Sequence, residues 1–320
     1  MSHEEAEMMK AAAIERFGRL DELKILELPR PKPEAGEVLI RVRAAGVGNW
    51  DILQRTGEFS SGHDEFPLIL GAECAGDVER LGANVTSLGE GDAVYSYFHA
   101  KQGAYAQYVA VKAEMVARKP ASLDYIEAGG VPVDAITAHQ AIVDELNVQS
   151  DEWCFVAGGA GGVGSMAVQV AIALGARVIA SAKAADFDIL ESFGVERANL
   201  IDYTQSDVAA AVRAITGGAG TDAALDAAGG ESAKQTFKTV RDGGRVAELT
   251  GQELPQERGV KVIHIQSRPS AKRLTTLAGM FDAGELKVRV GRVFPLVEAR
   301  EALAAVEQHL VAGKVVLRVD

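Results

Sequence analysis

The sequence is poor in several features that mark particular classes of protein. Its 320 residues include only two cysteines, Cys74 and Cys154, which are too few for a disulfide framework or a four-cysteine metal site. The formal net charge of −12 and the lack of a Lys/Arg-rich run would repel a nucleic-acid backbone. No apolar stretch is long enough to span a bilayer. These absences predict a cytoplasmic protein with no nucleic-acid or membrane partner.

The length and composition are those of a two-domain globular protein. The 320 residues exceed what one hydrophobic core usually supports, and 48% hydrophobic with 24% charged residues suffices for two cores. We predict a loose acidic leader over residues 1–8, which lacks the basic and apolar parts of a secretory signal. A mainly β domain is expected over 9–122, completed by 268–320. A cofactor domain is expected over 123–267.

The N-terminal part alternates short β-rich runs with Gly and Pro, which predicts a partly closed barrel. The clearest runs are Val38–Arg43, Ala93–Tyr95 and Ala104–Val111. A further β run closes the chain at Lys314–Val319. We expect this terminal strand to pair within the first domain, which would make that domain discontinuous in sequence.

From Asp151 onward, apolar strands alternate with glycine turns and helices, which is the pattern of a parallel sheet with crossover helices. Small and apolar residues over Ser165–Leu174 predict the first crossover helix, and Gly175 can end it. Six predicted strands would make two mononucleotide-binding halves. These strands are Trp153–Ala157, Arg177–Ser181, Asn199–Asp202, Ala223–Asp226, Arg245–Leu249 and Val260–Ile265. The predicted fold class is α/β, with a doubly wound Rossmann sheet.

A glycine-rich motif follows the first of these strands and precedes the first helix. Gly159, Gly161 and Gly164 have the G-x-G-x-x-G spacing, with Gly162 and Val163 inside the motif. The first two glycines permit a tight turn beside a diphosphate, and the third lets the helix pack on the strand. Free N–H groups and the helix dipole then attract the phosphates. The alternative is a flexible glycine-rich loop without a ligand.

The residues after the second strand bear on the choice between NADH and NADPH. An Asp or Glu there would bind the ribose 2′-hydroxyl and repel a 2′-phosphate. The chain instead offers Ser181 and Lys183, with no carboxylate before Asp186. A serine donates a hydrogen bond and a lysine acts as a point charge on phosphate, so the pattern predicts NADPH. The alternative for Lys183 is an exposed lysine at a solvated helix start.

Several motifs are distributed over nearly the whole chain. They are Ala44–Asp51, Pro67–Gly76, Gly91–Val94, Gly103–Val109, Thr137–Ala138, the glycine-rich motif and Gly313–Leu317. In these motifs the chain resembles the medium-chain dehydrogenase/reductase superfamily, and within it the zinc-independent quinone oxidoreductase (zeta-crystallin-like) branch. The resemblance implies a GroES-like substrate domain, a Rossmann domain and a reaction in the cleft between them. It also implies a homodimer or tetramer that pairs through the strand at Val260–Ile265.

The resemblance indicates where zinc-dependent relatives hold their catalytic metal. The positions of their Cys and His ligands fall on Gly48 and Ala72, and Val131–Asp134 contains no further Cys. Zinc needs at least three N, S or O protein ligands, so Asp51 and Glu73 alone are an insufficient set. We therefore predict no metal, and we expect these two acids to be structural partners of buried backbone or arginine groups.

The missing ligands favour a reductase. Without a Lewis acid an alcohol is hard to oxidise, because nothing lowers the energy of its alkoxide. A quinone or an α,β-unsaturated carbonyl accepts hydride more readily, since its developing oxyanion needs only hydrogen-bond donors and a proton from water. We predict an NADPH-dependent, zinc-free oxidoreductase acting on such a substrate. Two alternatives stay open: an enoyl-thioester reductase, and a low-turnover NADPH-binding sensor or structural protein.

The resemblance assigns three further residues to the cofactor. Thr137 corresponds to a position beside the nicotinamide, Tyr203 to a tyrosine near the 2′-phosphate, and Lys314 to a basic residue that reaches the phosphates. Each assignment has an alternative. Thr137 could cap a helix or fill the core, the register around Val195–Asn199 could displace Tyr203, and Lys314 could be a solvated lysine.

The substrate pocket is expected near the N-terminal domain's aromatic residues. Many relatives have an asparagine one position before Asn49, so this amide is expected to point toward the substrate. Trp50, Tyr97 and Phe98 are candidates for an aromatic wall against a planar substrate, with simple core packing as the alternative. The histidines, His99 among them, form no recognisable triad. The sequence assigns no catalytic residue and no proton donor.

Overall fold

The computed structural model describes residues 7–59, 65–99 and 102–320. Its strands are β1 (Met8–Ile14), β2 (Lys24–Pro29), β3 (Glu37–Val47), β4 (Leu68–Ile69), β5 (Glu73–Leu81), β6 (Ala93–Tyr97), β7 (Tyr108–Lys112), β8 (Val116–Arg118), β9 (Trp153–Ala157), β10 (Arg177–Ala182), β11 (Leu200–Asp202), β12 (Thr221–Asp226), β13 (Val240–Glu248), β14 (Lys261–His264), β15 (Val290–Pro295) and β16 (Lys314–Arg318).

The α-helices of the described residues connect or cover these strands. They are α1 (Asn49–Thr56), α2 (Tyr125–Gly129), α3 (Pro132–His139), α4 (Gly162–Ala173), α5 (Phe187–Ser192), α6 (Val208–Ile215), α7 (Ser232–Thr239), α8 (Ala271–Asp282) and α9 (Ala299–Glu307). Among the residues described, no helix is both long and apolar enough to cross a membrane.

The chain divides into two compact units. Unit 1 comprises Met1–Val133, Pro269–Asp282 and Val288–Asp320, and unit 2 comprises Asp134–Arg268 and Ala283–Lys287. Each unit has its own cluster of buried apolar side chains. This separation is consistent with a chain too long for one core.

The boundary between the units differs from the position expected after residue 122. It lies after Val133, because α2 packs against β3, β5 and β16 of unit 1. A side chain at Gly129 would come within 2.7 Å of Ala44, which shows how closely this helix lies on β3. Residues 283–287 also group with unit 2, although the C-terminal segment was expected to complete unit 1 without interruption.

Unit 1 is built from two mainly antiparallel sheets. One has the order β2-β1-β4, and the other has the order β15-β16-β3-β5-β6-β8, with β7 pairing to β3. The terminal strand β16 lies antiparallel to β3, with Val316 opposite Gly46. The shared core includes Ile40, Tyr105 and Leu317. The C-terminal strand therefore lies inside the same sheet as the N-terminal strands.

Two boundaries in unit 1 correct the sequence predictions. Residues 1–6 of the expected leader lie outside the described residues, but Met8 already belongs to β1 and pairs with Pro29. The run predicted as a strand over Ala104–Val111 is a strand only from Tyr108. Its first part makes a single bridge at Ala106, because the preceding amides bond to the irregular turn after β4 rather than to a strand ladder.

Unit 2 contains a six-stranded parallel sheet with the order β11-β10-β9-β12-β13-β14. This is the doubly wound Rossmann order, and the predicted fold class is confirmed. The first crossover helix begins at Gly162 rather than at Ser165 and ends just before Gly175, whose φ is 82°. The order of strands reverses between β9 and β12, so the carboxyl ends of these two strands form the crevice where ligands bind in such sheets, with β10 next to it.

Candidate functional site

The turn between β9 and α4 begins with a left-handed residue. That residue is Gly158, with a φ of 72°, one position before the predicted motif. The Gly161 N–H donates to the Gly158 carbonyl at 3.0 Å and closes the turn, while the Gly159 N–H donates to the Ser181 carbonyl at 2.9 Å. The turn is thereby fixed to the carboxyl ends of β9 and β10. Residues other than glycine rarely adopt this φ.

The start of α4 packs directly on this turn. A Cβ at Gly164 would lie 2.1 Å from the Gly158 carbonyl oxygen, so only glycine fits. Ser165 is the first residue to donate back to the turn, to the Gly161 carbonyl at 2.8 Å. The amides of Gly162 and Val163 belong to the helix start, where N–H groups lack a partner within the helix. Together with the helix dipole they form a cradle suited to a diphosphate.

A carboxylate that the sequence did not indicate lies beside this cradle. The two carboxylate oxygens of Asp134 are 2.3 and 2.9 Å from the point where a Cβ on Gly162 would stand. Glycine at this position therefore leaves room for the Asp134 side chain. A negative charge is favourable at the start of a helix, but it opposes a second anion in the same place.

A cavity of about 650 Å³ opens at the carboxyl edge of the sheet. Ser181, buried at the end of β10, and Tyr203, half-exposed after β11, contribute to its wall together with Gly158. Lys183 is exposed two residues after Ser181. The structure thus brings Ser181 and Tyr203 to one cavity, next to the turn of the cradle. The size suits one end of a dinucleotide.

Asp202 adds a carboxylate to this edge. It is the last residue of β11 and pairs with Ala182. Hydrogen bonds from the Thr204 hydroxyl and amide and from the Ala184 amide lower the pKa of Asp202. The sequence offers no acid directly after β10, yet the neighbouring strand supplies one beside the same loop. Its Oδ1 atom accepts from the Thr204 amide at 2.9 Å and from the Thr204 hydroxyl at 2.7 Å.

Unit 1 carries a cluster of four rings, which we name the aromatic cluster: Trp50, Phe59, Tyr97 and His99. The ring centroids of Trp50 and Phe59 are 3.8 Å apart, and those of Trp50 and His99 are 6.1 Å apart. The Tyr97 hydroxyl and the Nε2 atom of His99 are hydrogen-bonded at 3.3 Å. Tyr97 is buried, Trp50 and Phe59 are half-buried, and His99 is exposed. The cluster therefore offers aromatic faces and one polar pair at the surface of unit 1.

One of the predicted aromatic residues, Phe98, has a different environment from that expected. Phe98 is 2% exposed and belongs to the hydrophobic core, so it does not contribute to an aromatic wall. The side chains of its neighbours Tyr97 and His99 point to the opposite face, because successive side chains alternate along an extended chain. Asn49 is exposed at the first position of α1, beside Trp50.

Buried charges lie under this region of unit 1. The Lys314 ammonium pairs with Glu73 at 2.6 Å, and Glu73 also accepts from the Val133 amide at 2.7 Å. Asp51 accepts from the Gly48 amide at 2.8 Å and from the Tyr105 hydroxyl at 2.9 Å. Burial raises the pKa of Asp51 despite these hydrogen bonds. Both acids accept hydrogen bonds from buried backbone or side-chain groups, as the sequence predicted. The basic partner of Glu73 is Lys314, whereas the sequence predicted an arginine.

In the part of the chain that the structure describes, no group of three His, Cys, Asp or Glu side chains is arranged to hold a metal ion.

Two regions of the chain match known family models. Residues 34–121 match the alcohol dehydrogenase GroES-like domain, and residues 196–317 match the zinc-binding dehydrogenase family. The 2-methylene-furan-3-one reductase of Solanum lycopersicum is 30% identical over 97% of this chain and 79% of that protein. The chain belongs to the medium-chain dehydrogenase/reductase superfamily. As a member of this superfamily, it is an oxidoreductase.

Further relatives and solved structures agree with this assignment. The NADPH-dependent alkenal/one oxidoreductase of Arabidopsis thaliana is 29% identical over 97% of this chain and 79% of that protein. A crystal structure of an NAD-dependent alcohol dehydrogenase superimposes with a TM-score of 0.90 at 30% identity and covers 98% of this chain and 100% of that one. The quinone oxidoreductase of Coxiella burnetii gives a TM-score of 0.86 at 25% identity, with coverage of 98% and 100%. The predicted superfamily and its quinone oxidoreductase branch are confirmed.

Within this dehydrogenase/reductase fold, several relevant residues were not predicted from sequence. Asp134 and Asp202 approach the cofactor region only through tertiary structure. His99 lies two residues after Tyr97 and belongs with it to the aromatic cluster. This two-residue spacing puts both side chains on one face of an extended segment, and it is the sequence signal that could have indicated the contact. Phe59 follows α1, and its ring packs on that of Trp50 near the start of the same helix. The sequence carries no comparable signal for this contact.

Proposed function

We propose that this chain is an NADPH-dependent oxidoreductase that transfers hydride to a quinone or an α,β-unsaturated carbonyl compound. The end of β10 carries the cofactor assignment, because Ser181 lines the cavity and the exposed Lys183 follows it. A hydroxyl donor and an ammonium group are suitable partners for a ribose 2′-phosphate. The name of the Arabidopsis relative supports the same cofactor.

The cradle fits a dinucleotide because glycine keeps the turn and the helix start open. The amides of Gly162, Val163 and Gly164 would hold the diphosphate. Ser181 and Lys183 would hold the 2′-phosphate, with Tyr203 on the cavity wall beside them; Gly159 and Gly161 would shape the turn. When bound, NADPH would supply a hydride.

Two further cofactor contacts are part of the proposal. Thr137 is 6% exposed on α3, and its hydroxyl donates to the Ser267 hydroxyl at 2.8 Å, which fixes the side chain for a contact with the nicotinamide. Lys314 is held by Glu73, so its charge is oriented before any phosphate binds. The cofactor roles of Thr137 and Lys314 are inferred from the family resemblance, and the contacts just described only fix the two side chains in place.

The substrate class follows from the chemistry of the relatives and from the aromatic cluster. The tomato and Arabidopsis proteins are named for a methylene-furanone and for alkenals or enones, in which a C=C bond is conjugated with a carbonyl. In this chain, the half-buried faces of Trp50 and Phe59 would orient a planar substrate and exclude water from it. Asn49 and Tyr97 would line the same pocket.

Steady-state oxidation of NADPH tests the proposed function. We expect turnover with 9,10-phenanthrenequinone and with a simple 2-alkenal, and a lower KM for NADPH than for NADH. Preference for crotonyl-CoA over both substrates would instead support the enoyl-thioester reductase. Tight NADPH binding without turnover on any of the three would support the sensor or structural role.

A pair of lysine variants tests the cofactor choice. Lys183→Ala should raise the KM for NADPH about tenfold, which corresponds to the loss of roughly 1.4 kcal/mol from one charge-assisted contact. The KM for NADH should stay unchanged. Lys238→Ala, which removes another exposed lysine of unit 2, is the matched control and should change neither value. Equal effects of Lys183→Ala on both cofactors would contradict the assignment.

The enoyl-thioester reductase is kept as a second candidate because of specific relatives. The polyketide synthase component PikAII of Streptomyces venezuelae is 31% identical over 88% of this chain, which corresponds to 8% of that protein. The crystal structure of CurK enoyl reductase gives a TM-score of 0.87 at 25% identity. The crotonyl-CoA arm of the assay separates this candidate from the first.

We further propose a cytoplasmic homodimer or tetramer. The two free, buried cysteines agree with a reducing compartment. Among the described residues, β14 ends the parallel sheet of unit 2, and an open edge is a ready pairing surface.

A further inference from the structure

Reduction of a conjugated carbonyl creates a charge that a protein can stabilise. The substrate gains a hydride at its β-carbon, its C=C electron pair shifts toward the carbonyl, and negative charge appears on oxygen. One proton from water then completes the saturated product. A hydrogen-bond donor placed at that oxygen lowers the barrier, because it acts where charge develops.

The aromatic cluster contains one polar pair that is suited to this task. His99 is exposed beside the half-buried ring of Trp50, whereas its partner Tyr97 is 4% exposed. A planar substrate lying on Trp50 and Phe59 therefore has an imidazole at its edge. Of the other two rings, Phe59 carries no polar atom, and the indole of Trp50 packs on it with the ring centroids 3.8 Å apart.

We propose that His99 donates a hydrogen bond to the substrate oxygen on which negative charge develops, and that Tyr97 is its positioning residue. This inference rests on the proposed function and names a catalytic residue for it. The Tyr97 hydroxyl and Nε2 are hydrogen-bonded at 3.3 Å; in the proposed arrangement the hydroxyl is the donor, and the proton of the neutral ring is on Nδ1. A fixed tautomer of this kind directs the remaining N–H toward the ligand.

The environment of His99 keeps the ring in the form that this role requires. Although His99 is exposed at the surface, the packed rings around its imidazole displace water, and this desolvation lowers the pKa of His99, so the neutral imidazole predominates at neutral pH. A neutral imidazole can serve as an electrophilic hydrogen-bond donor in a reductive or isomerising site. The water that supplies the final proton does not need to pass through the ring.

Four variants test the role in catalysis. With a 2-alkenal as substrate, His99→Phe keeps a ring but removes the donor, and kcat should fall about a hundredfold with little change in KM. His99→Gln keeps an N–H group and should recover part of that loss. Tyr97→Phe removes only the positioning hydroxyl, and kcat should fall about tenfold. His309→Gln, at an exposed histidine outside the cluster, should leave kcat unchanged.

A binding measurement provides a readout that needs no turnover. The probe is 4-nitrophenol, whose absorbance distinguishes the neutral phenol from the phenolate. Bound to the wild-type protein, it should shift toward the phenolate, because the oxygen receives the His99 hydrogen bond. His99→Phe should abolish the shift. Trp50→Ala should weaken binding about tenfold through the loss of aromatic contact, while the bound probe keeps its shift.

The outcomes separate the inference from the proposed function. A wild-type protein that turns over neither enones nor quinones would overturn the function, and the 4-nitrophenol shift would still decide whether His99 binds an oxyanion. Normal turnover with unchanged kcat in His99→Phe, or no shift of the probe in the wild-type protein, would overturn the inference.

Discussion

Asp134 is the residue whose charge bears most directly on the diphosphate cradle. Its carboxylate oxygens lie 2.3 and 2.9 Å from the position of a Cβ on Gly162, the first residue of α4. Asp134→Asn removes the charge at constant size. We expect the Kd of NADPH to fall between about twofold and fivefold at low salt, since one like charge at a helix start is worth up to roughly 1 kcal/mol.

Fluorescence titration of NADPH at low and high salt measures this effect, and the difference should shrink at high salt because screening weakens the repulsion. Asp188→Asn is the control, since its side chain in unit 2 is 93% exposed. Weaker NADPH binding in Asp134→Asn would show instead that the carboxylate accepts a hydrogen bond from the cofactor.

Glu248 makes the stability of unit 2 depend on pH. Burial alone would raise the pKa of this fully buried acid, but hydrogen bonds from His264 and from the Thr250 and Gln252 amides lower it below its usual 4.5. The unfolded chain therefore binds the proton at a higher pH than the folded chain does. The stability that the carboxylate contributes is complete above pH 4.5 and is lost as the pH falls through the lowered pKa.

Glu248→Gln tests this dependence. At pH 7 the variant should lose about 1–3 kcal/mol of unfolding free energy, because its NH₂ group replaces an acceptor facing backbone N–H groups. Urea unfolding at several pH values should show that the difference in unfolding free energy between variant and wild type narrows below pH 4.5, the ordinary pKa of a glutamate. Glu257→Gln, at an exposed glutamate, should keep the wild-type profile. A gap that stays constant with pH would refute the role of the charge.

Single residues also mark the limit of the sequence predictions. Ser181 was predicted from its place after a strand, and the structure puts it on the cavity wall. Asp202 could not be assigned to the same edge, because its position depends on which strand pairs with β10. The sequence predicts no role for His99 beyond its absence from a triad, because its contacts with Trp50 and Tyr97 join α1 to the residues after β6.

At the level of elements, the packing of α4 on the β9 turn is the feature that a single methyl group would disturb. Gly164→Ala places a Cβ 2.1 Å from the Gly158 carbonyl oxygen, which is a backbone atom and cannot rotate away. We expect a loss of about 1–3 kcal/mol of stability from overpacking and an NADPH Kd raised at least tenfold, because the cradle amides move with the helix.

Gly279→Ala is a matched control within α8. A Cβ there meets no atom within 4 Å, so the variant should gain about 0.4–1 kcal/mol from reduced freedom of the unfolded chain. Thermal unfolding and NADPH titration of both variants give the comparison. Wild-type affinity in Gly164→Ala would mean that the helix start does not form the phosphate site.

Elements with a strong local pattern were predicted better than elements held by tertiary contacts. Strand β9 has the predicted bounds, and the remaining Rossmann strands differ at one or both ends. Strand β13 begins earlier, at Val240, where the ladder with β12 is irregular. Helix α4 begins within the glycine motif, because the turn at Gly158 fixes the backbone just before it. Amino-acid composition does not indicate this turn.

At the scale of the whole molecule, alternating strands and helices were sufficient to predict the α/β class, and length with composition was sufficient to predict two cores. The boundary between the units was harder to place, since α2 has a helical sequence but packs on the sheet of unit 1. Its position at Tyr125–Gly129 reflects contacts with β3, β5 and β16, which are distant in sequence. Local periodicity carries no signal for such packing.

The last prediction concerns the open edge of the parallel sheet. The Ile265 amide donates to the Glu248 carbonyl at 2.9 Å, so alternate amides of β14, those of Val262 and His264, point away from β13.

If two copies pair through this edge, Val262→Pro removes an outward N–H without breaking the ladder within unit 2. Light scattering should then report a monomer, while Val262→Thr, which keeps the N–H, should stay dimeric. Retained NADPH binding shows that the proline variant is folded. A dimer that survives Val262→Pro would place the interface elsewhere, and a monomeric wild-type protein would overturn the proposed assembly.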